Sequence, residues 1–379
     1  MTKTKHYKMA AIMAISLFVI SALVVAIPYS DADDGSFKIT DTTGKEFTYS
    51  KPSDKVIAFG YATSLTVAQC GQISKLYATD KYGKEAFGEF DYTYTGKEYV
   101  PCTSGNKTVL YDTIVQAKDD GEIGFDDTII LSTYSANVAD GGLRSKLEAV
   151  GFTHVLFYGT MVDYDAVVNC VKGICLACGG EDLSKQMTFV KDKVVDKLKE
   201  NDNPKTDAIF IWNSSTYGWG YGNTGSISVA LMDVAGANNI GYNSESASSI
   251  IYNQADIVQR LGDSPNAWIF LDSAVVRDYI KGHPGATEQD AVDDFADQVL
   301  GGSTGNHKVL IVKRTWNNYD ADAADGIWNM ACALHPDLFE GDVPSYKSDN
   351  KQNLTPLIIG AVVAVAVVAI GAILIIRRH

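Results

Sequence analysis

From Lys55 onward, short apolar runs alternate with amphipathic segments of helix length, and that alternation restricts the chain to parallel βαβ units. KVIAFG, SKLYATD, DTIILSTY and THVLFYG read as strands, with SLTVAQCG and GLRSKLEAVG as helices among them. The Tyr- and Gly-rich residues 81–102 read as a long connection. DAVVNCVKGICLACGG predicts an amphipathic helix with Val167, Val171, Ile174, Cys175 and Cys178 on one face. DLSKQMTFVKDKVVDKLKEN predicts one long helix, with Met187, Val190, Val194 and Leu198 sharing a face and Pro204 closing it. The alternation then restarts, with DAIFIW, NAWIFLD and HKVLIVKR as strands and ISVALMDVAG, ADIVQRLG and GIWNMACALHPDLF as helices. The expected fold is α/β, two Rossmann-like lobes joined by one long interlobe helix.

Both ends of the chain are apolar. Lys3, Lys5 and Lys8 precede an uncharged run over residues 9–27, and the polar YSDADDG follows it, which is the form of an export signal. Ser30 and Ala32 suit a small-x-small cleavage site, while the 19-residue run is also long enough to stay as an anchor. Residues 357–376 carry no charge, enough to cross ~30 Å of hydrocarbon. Arg377 and Arg378 follow, and the positive-inside rule keeps them and the N-terminal lysines in the cytoplasm, with everything between outside. The expected organisation is a signal or anchor over 1–32, an N-terminal lobe over 33–182, an interlobe helix over 183–203, a C-terminal lobe over 204–340, a tether over 341–356 and a transmembrane helix over 357–376. The chain is thus expected at the cell surface, anchored in the plasma membrane.

Between the ends stand 27 basic against 45 acidic groups. Nucleic acid is excluded as a partner on that balance, since phosphate binding draws on clustered Lys and Arg. Sequons at Asn106, Asn213 and Asn353 fit an exported chain. Six cysteines do not make a disulfide scaffold at this size, and any pair among them is open to bridging outside the cell. Cys170, Cys175 and Cys178 have a ferredoxin-like spacing, but they fall on a helix face where Cys usually serves as a small apolar residue.

The order of these parts resembles the class III substrate-binding proteins of ABC importers, the group that binds cobalamin, haem and ferric siderophores. KVIAFGYATSLTVAQCGQISKLYATD resembles the opening strand, loop and helix of that family, and DTIILSTY with LRSKLEAVGFTHVLF resembles its mid-lobe βαβ unit. VALMDVAGANNI is similar to its Leu-x-x-x-Gly-Gly-x-Asn segment, and MACALHPDLF to its closing helix. The resemblance implies a monomeric binder, not an enzyme, with no intrinsic cofactor, whose small-molecule ligand sits between lobes and passes to an ABC permease. The family docks through one acidic residue at the crest of each lobe; those positions fall at Gly141 and Ala255, beside Asp140 and Asp256.

The stretch IWNSSTYGWGYGNTGSIS sets Trp212, Tyr217, Trp219 and Tyr221 among four glycines, at the strand end where open α/β sheets bind ligands. Its GxGxxG (Gly220, Gly222, Gly225) starts too far past the strand for a dinucleotide fingerprint. Stacking on a flat ligand suits these rings better. The expected ligand residues are Tyr61, Tyr134, Tyr158, Tyr217, Trp219, Tyr221, Arg314 and Trp316, with a corrinoid, haem or ferric chelate as ligand. Trp219, between Gly218 and Gly220, is expected to swing more freely than Trp212, which ends a strand.

Other chemistries find less support. The six histidines do not converge on a metal site, and the calcium-loop-like DADAADG is one residue off register, with Ala331 at position twelve and Asp325 as the expected helix cap. There is no HExxH, and an extracellular hydrolase is an alternative resting on paired carboxylates. A surface protein for adhesion or sensing on the same fold is the other alternative.

Overall fold

The computed structural model describes residues 35–132, 138–139 and 142–346. The apolar segments 9–27 and 357–376 lie outside the described residues, and among those described no helix is long and apolar enough to cross a membrane. The chain divides into two compact units, one running through Met161 and including Asn169–Asp182, the other comprising Val162–Val168 and the chain from Leu183 onward.

The first unit opens with an antiparallel hairpin, β1 (Phe37–Thr40) and β2 (Glu46–Tyr49). The elements β3 (Val56–Ala58), α1 (Tyr61–Gln69), β4 (Leu76–Asp80), α2 (Lys81–Glu89), β5 (Lys97–Tyr99), α3 (Lys107–Asp119), β6 (Thr128–Ser132), α4 (Leu143–Ala149), β7 (His154–Tyr158) and α5 (Tyr164–Cys178) follow. The five strands from β3 to β7 are parallel, in the order β5-β4-β3-β6-β7. The chain starts mid-sheet, steps outward one way and returns to step the other, so its switch point lies between β3 and β6.

Residues 81–102 are thus not a connection but a helix and a strand. Asp80 caps α2 by accepting the N–H groups of Tyr82 and Gly83, both at 3.1 Å. Gly83 lets that helix press onto β4, because a Cβ there would lie 2.0 Å from Thr79 Oγ1. Sequence patterning missed the helix because Gly83 and Gly88 interrupt its period.

The second unit contains α6 (Ser184–Glu200), β8 (Thr206–Ser214), β9 (Gly218–Gly222), α7 (Ile227–Val234), β10 (Ala237–Asn239), β11 (Ile250–Ile251), α8 (Gln254–Asp263), β12 (Trp268–Asp272), α9 (Ser273–Gly282), α10 (Glu288–Phe295), β13 (Val309–Val312) and α11 (Ala323–Leu334). Its sheet runs β11-β9-β8-β12-β13, with β10 beside the first residues of β8. Strands β10, β8, β12 and β13 are parallel, and the switch point falls between β8 and β12. The long helix α6 forms as expected, with Met187, Val190, Val194 and Leu198 buried, and packs on α11. The first turn of α5 joins it through Tyr164 Oη, which donates to the Met187 carbonyl at 3.0 Å.

Asp325 lies inside the first turn of α11 and does not cap it; Asp322 occupies the cap position, without a side-chain bond to the helix. Beyond α11 the chain folds back onto α6. The Gln186 side chain donates to the Pro344 carbonyl at 2.8 Å and accepts the Tyr346 N–H at 2.6 Å, and the Tyr346 ring lies 5.8 Å from that of Phe189.

Candidate ligand-binding site

The aromatic stretch is a β-hairpin. Strand β8 continues past its last pairing with β12, Ile211 opposite Leu271, and turns at residues 215–217 into antiparallel β9. Trp212 lies opposite Gly220 and Asn213 opposite Trp219. Successive side chains alternate faces, so Ile211, Trp219 and Tyr221 point one way and Trp212 the other.

The inward face is core. Trp219 is 8 % exposed and its ring lies 5.2 Å from that of Phe295, within a cluster that includes Ile209, Ile211 and Leu271. Tyr221 is fully buried; its hydroxyl donates to Asp256, and the Arg260 guanidinium lies 5.0 Å above its ring. The expectation of a freely swinging Trp219 is therefore reversed. The glycines serve close packing instead: a Cβ on Gly220 would come 2.8 Å from Tyr252 Cδ1, and one on Gly222 would come 2.8 Å from Val229 Cγ2.

The outward face carries Trp212, 37 % exposed, with Tyr252 seated over Gly220 beside it. Tyr217, at the hairpin tip and 70 % exposed, lies 5.1 Å from the Tyr252 ring. Three rings thus form one solvent-facing aromatic surface. Buried Asn223 supports it: its Nδ2 donates to the carbonyls of Asn243, Ser246 and Ser248, fixing the loop that delivers β11 and Tyr252.

Beside this surface, at the end of β12, Asp272 caps α9 by accepting the Ala274 N–H at 2.7 Å and also accepts from Asn317 Nδ2 at 3.2 Å. Burial pushes its carboxyl up, opposed by those two bonds and by the charges of Arg277 and Arg314. Arg314 lies just past the carboxyl end of β13. Trp316 does not serve as an open face: it is 7 % exposed and packs against Gly326 at the start of α11.

In the first unit, Gly60 and Ser132 flank the switch point, a Cβ on Gly60 standing 3.2 Å from Ser132 Oγ. The Gly60 N–H donates to Asp80, whose carboxyl burial pushes up and whose backbone hydrogen bonds draw down. Asp80 and Asp272 thus occupy equivalent places, each ending a strand and capping the next helix. Tyr61 and Tyr158 are corrected as open ring faces. Tyr61 packs with Leu65 and Ala86 and donates to Glu89 at 2.7 Å, and Tyr158 is 1 % exposed beneath α5, where Gly173 makes room for its hydroxyl. Tyr61 opens α1 and turns its ring against α2, and Tyr158, the last residue of β7, turns its ring under α5.

Tyr134 and Asp140 lie outside the described residues. Asp256 lies in the first turn of α8, where Arg260 Nε approaches it at 3.3 Å in addition to the Tyr221 bond. Among the described residues no group of His, Cys, Asp or Glu is arranged to hold a metal ion. A cavity of about 450 Å³ at the amino-terminal edge of the first sheet is lined by Lys55, Lys75 and Lys97. Those lysines are already engaged, by the Glu122 carbonyl, the Cys178 carbonyl and the Glu122 carboxylate respectively.

No family model matches the chain, and no curated protein matches it. Solved structures do. The TroA-like periplasmic binding protein FepB from Veillonella parvula superposes with a TM-score of 0.56 at 15 % identity, over 80 % of this chain and 91 % of that one. CeuE of Helicobacter pylori with Ni(II) bound gives 0.52 at 12 % identity, over 80 % and 90 %. The periplasmic haem-binding protein HutB of Vibrio cholerae gives 0.51 at 13 % identity, over 75 % and 100 %. With two α/β units in this order and these likenesses, the chain has the fold of the TroA-like, class III periplasmic binding proteins.

Proposed function

We propose that the chain is a membrane-tethered extracytoplasmic solute-binding protein that captures a flat, conjugated metal complex, haem, corrinoid or ferric chelate, and passes it to an ABC permease. The observation that carries this reading is the exposed surface of Trp212, Tyr217 and Tyr252 at the carboxyl edge of the second sheet. Rigid rings provide large contact area with little entropy lost on ordering, and the charges of Arg277 and Arg314 near Asp272 favour an anionic substituent on the ligand. Neighbours of the same fold bind Ni(II) and haem, which supports a binder rather than an enzyme.

The test is titration of the purified protein with hemin, cyanocobalamin and a ferric hydroxamate, followed by tryptophan fluorescence. One of the three should quench emission, and Trp212→Ala should weaken that binding by about 1–3 kcal/mol, the scale of stacking on an aromatic side chain. Failure of all three to bind would overturn the reading. For location, protease added to intact cells should digest the lobes and spare a fragment near residues 357–376. Protection of the whole chain would refute export.

One observation favours adhesion or sensing instead: Asp256 engages Tyr221 and Arg260, so it is not a free anion for a permease arginine. Replacing Asp140 and Asp256 by Lys separates the two. Lost uptake with unchanged ligand affinity supports permease docking, and unchanged uptake removes the acidic pair from it.

A further inference from the structure

Three adjacent strands of the first sheet begin on a lysine. Lys55 precedes β3, Lys75 precedes β4 and Lys97 opens β5, and the sheet order β5-β4-β3 sets the three side by side along its amino-terminal edge. Neighbouring strands lie about 4.8 Å apart, so the fold gathers into one row three cations that are distant in sequence. They line the cavity of about 450 Å³ at that edge together with Ser74, Thr93 and Thr95, and among the described residues no carboxylate lines it. Glu122 accepts from Lys97 Nζ at 2.5 Å and from the Tyr77 hydroxyl, but Lys55 and Lys75 donate to main-chain carbonyls, those of Glu122 and Cys178. A carbonyl draws on one of the three N–H groups of an ammonium and does not neutralise its charge. Lys55 and Lys97 also stand over the same ring, that of Tyr77, at 5.7 and 5.2 Å from its centre, so the two charges are no further apart than those distances together. Carboxylates close by in the chain are held elsewhere: Asp54 by Lys51 at 2.7 Å, and Asp127 by the N–H groups of Lys55 and Gly124 at 2.9 and 2.7 Å. The wall opposite is fixed by packing. The Tyr94 ring lies 5.1 Å from that of Phe87 and its hydroxyl donates to the Lys97 carbonyl at 2.7 Å, while a Cβ on Gly96 would stand 2.7 Å from the carbonyl oxygens of both Leu76 and Tyr77.

We propose that this recess is a second ligand site, for a small soluble anion with two or more negative charges, of the phosphate, diphosphate or phosphate-ester class. In a chain of formal net charge −14, a recess walled by cations is a local reversal of sign, and such a recess focuses its field on an incoming anion. Lys55 and Lys75 supply the two charges that no carboxylate matches, and Lys97, shared with Glu122, closes the row. Phosphate oxygens accept from ammonium groups as from the hydroxyls of Ser74, Thr93 and Thr95, and lysine binds them as a point charge, without the planar geometry that arginine imposes. The recess lies at the opposite end of the strands from Gly60 and Ser132, so it is separate from the switch point of its sheet and holds whether or not the chain binds a conjugated complex.

The experiment titrates the purified full chain with sodium diphosphate in a calorimeter, then labels its lysines with an amine-acylating reagent in diphosphate or in sodium chloride of equal ionic strength and maps the labelled peptides. Diphosphate should bind, and it should slow the labelling of Lys55 and Lys75 several-fold while leaving the exposed Lys38 and Lys51 unchanged. Lys55→Gln and Lys75→Gln should each weaken diphosphate binding by about tenfold, the loss expected for one charge-assisted hydrogen bond. Absence of binding heat in the wild type would overturn the proposal, as would equal protection of all lysines or the same protection by chloride, either of which is bulk screening. Protection by phosphatidylglycerol vesicles and not by diphosphate would put the anion on a lipid surface and overturn the soluble class. The wild-type titration and labelling map decide this even where a variant does not fold.

Discussion

The carboxylate of Asp41 and the guanidinium of Arg144 meet at 2.7 Å inside the first unit, with 0 and 2 % of their side chains exposed. The same Asp41 oxygen accepts the Phe157 N–H at 3.1 Å, so one buried charge ties the turn after β1 to α4 and to β7. Removing one partner leaves the other buried and uncompensated, which costs about 3–5 kcal/mol. Arg144→Ala should lower unfolding stability in urea by that amount. Lys38→Ala, breaking the exposed pair with Glu46, should cost under about 1 kcal/mol. Equal losses would mean that the buried pair has no special weight.

Truncating the two hairpin tryptophans should have effects of very different size. Trp219→Ala opens a cavity against Phe295 and should cost about 3–5 kcal/mol. Trp212→Ala removes a solvent-facing ring and should change stability by no more than about 0.5 kcal/mol. Chemical denaturation of both variants checks the assignment of faces.

Gly220→Ala tests the support of Tyr252. The added methyl would meet Tyr252 Cδ1 at 2.8 Å and the Ile251 carbonyl oxygen at 3.0 Å, so ring or strand must shift. A stability loss of about 1–3 kcal/mol is expected, together with weaker ligand binding. Gly218→Ala is the control: its φ of +77° strains any side chain, but nothing lies within 4 Å, so it should leave the Trp212–Tyr252 surface in place. Ligand titration of the two variants separates displaced rings from backbone strain.

His335 should give the protein a stability slope in mild acid. Burial holds its imidazole below the ordinary value, opposed by the hydrogen bond from Nε2 to the Gly236 carbonyl. Below about pH 6.5 the unfolded chain takes up a proton that the folded chain refuses, so stability is full above that pH and falls as pH drops toward the folded value. His335→Gln should flatten that part of a melting-temperature profile. An unchanged slope would assign the effect to other groups.

The βαβ units of the first lobe and the long helix α6 were legible because their apolar periods are regular and their ends are marked by Gly71, Gly151 and Pro204. The hairpin was not, because Gly218, Gly220 and Gly222 suggested a loop. Yet Trp219 and Tyr221 stand two residues apart with glycines between, which is strand alternation with one face left bare for close packing. Reading that period would have sent Trp219 inward and Trp212 outward. Tyr252 carried no local signal; it joins the surface only through the pairing of β11 with β9 and the loop held by Asn223. Sequence could not assign the direction of the Tyr61 and Tyr158 rings, since it shows neither which helix follows each nor how closely that helix packs.

The grip of Gln186 and Phe189 on the returning chain has a mechanical consequence. Its two amide bonds, at 2.8 and 2.6 Å, and the ring contact with Tyr346 lie along α6, two turns of one helix acting as a cleat. A pull on whatever follows Tyr346 is loaded on those contacts in shear before it reaches α11. The contacts of α11 with the rest of its unit are thus spared such a pull until the grip of α6 on residues 344–346 gives way.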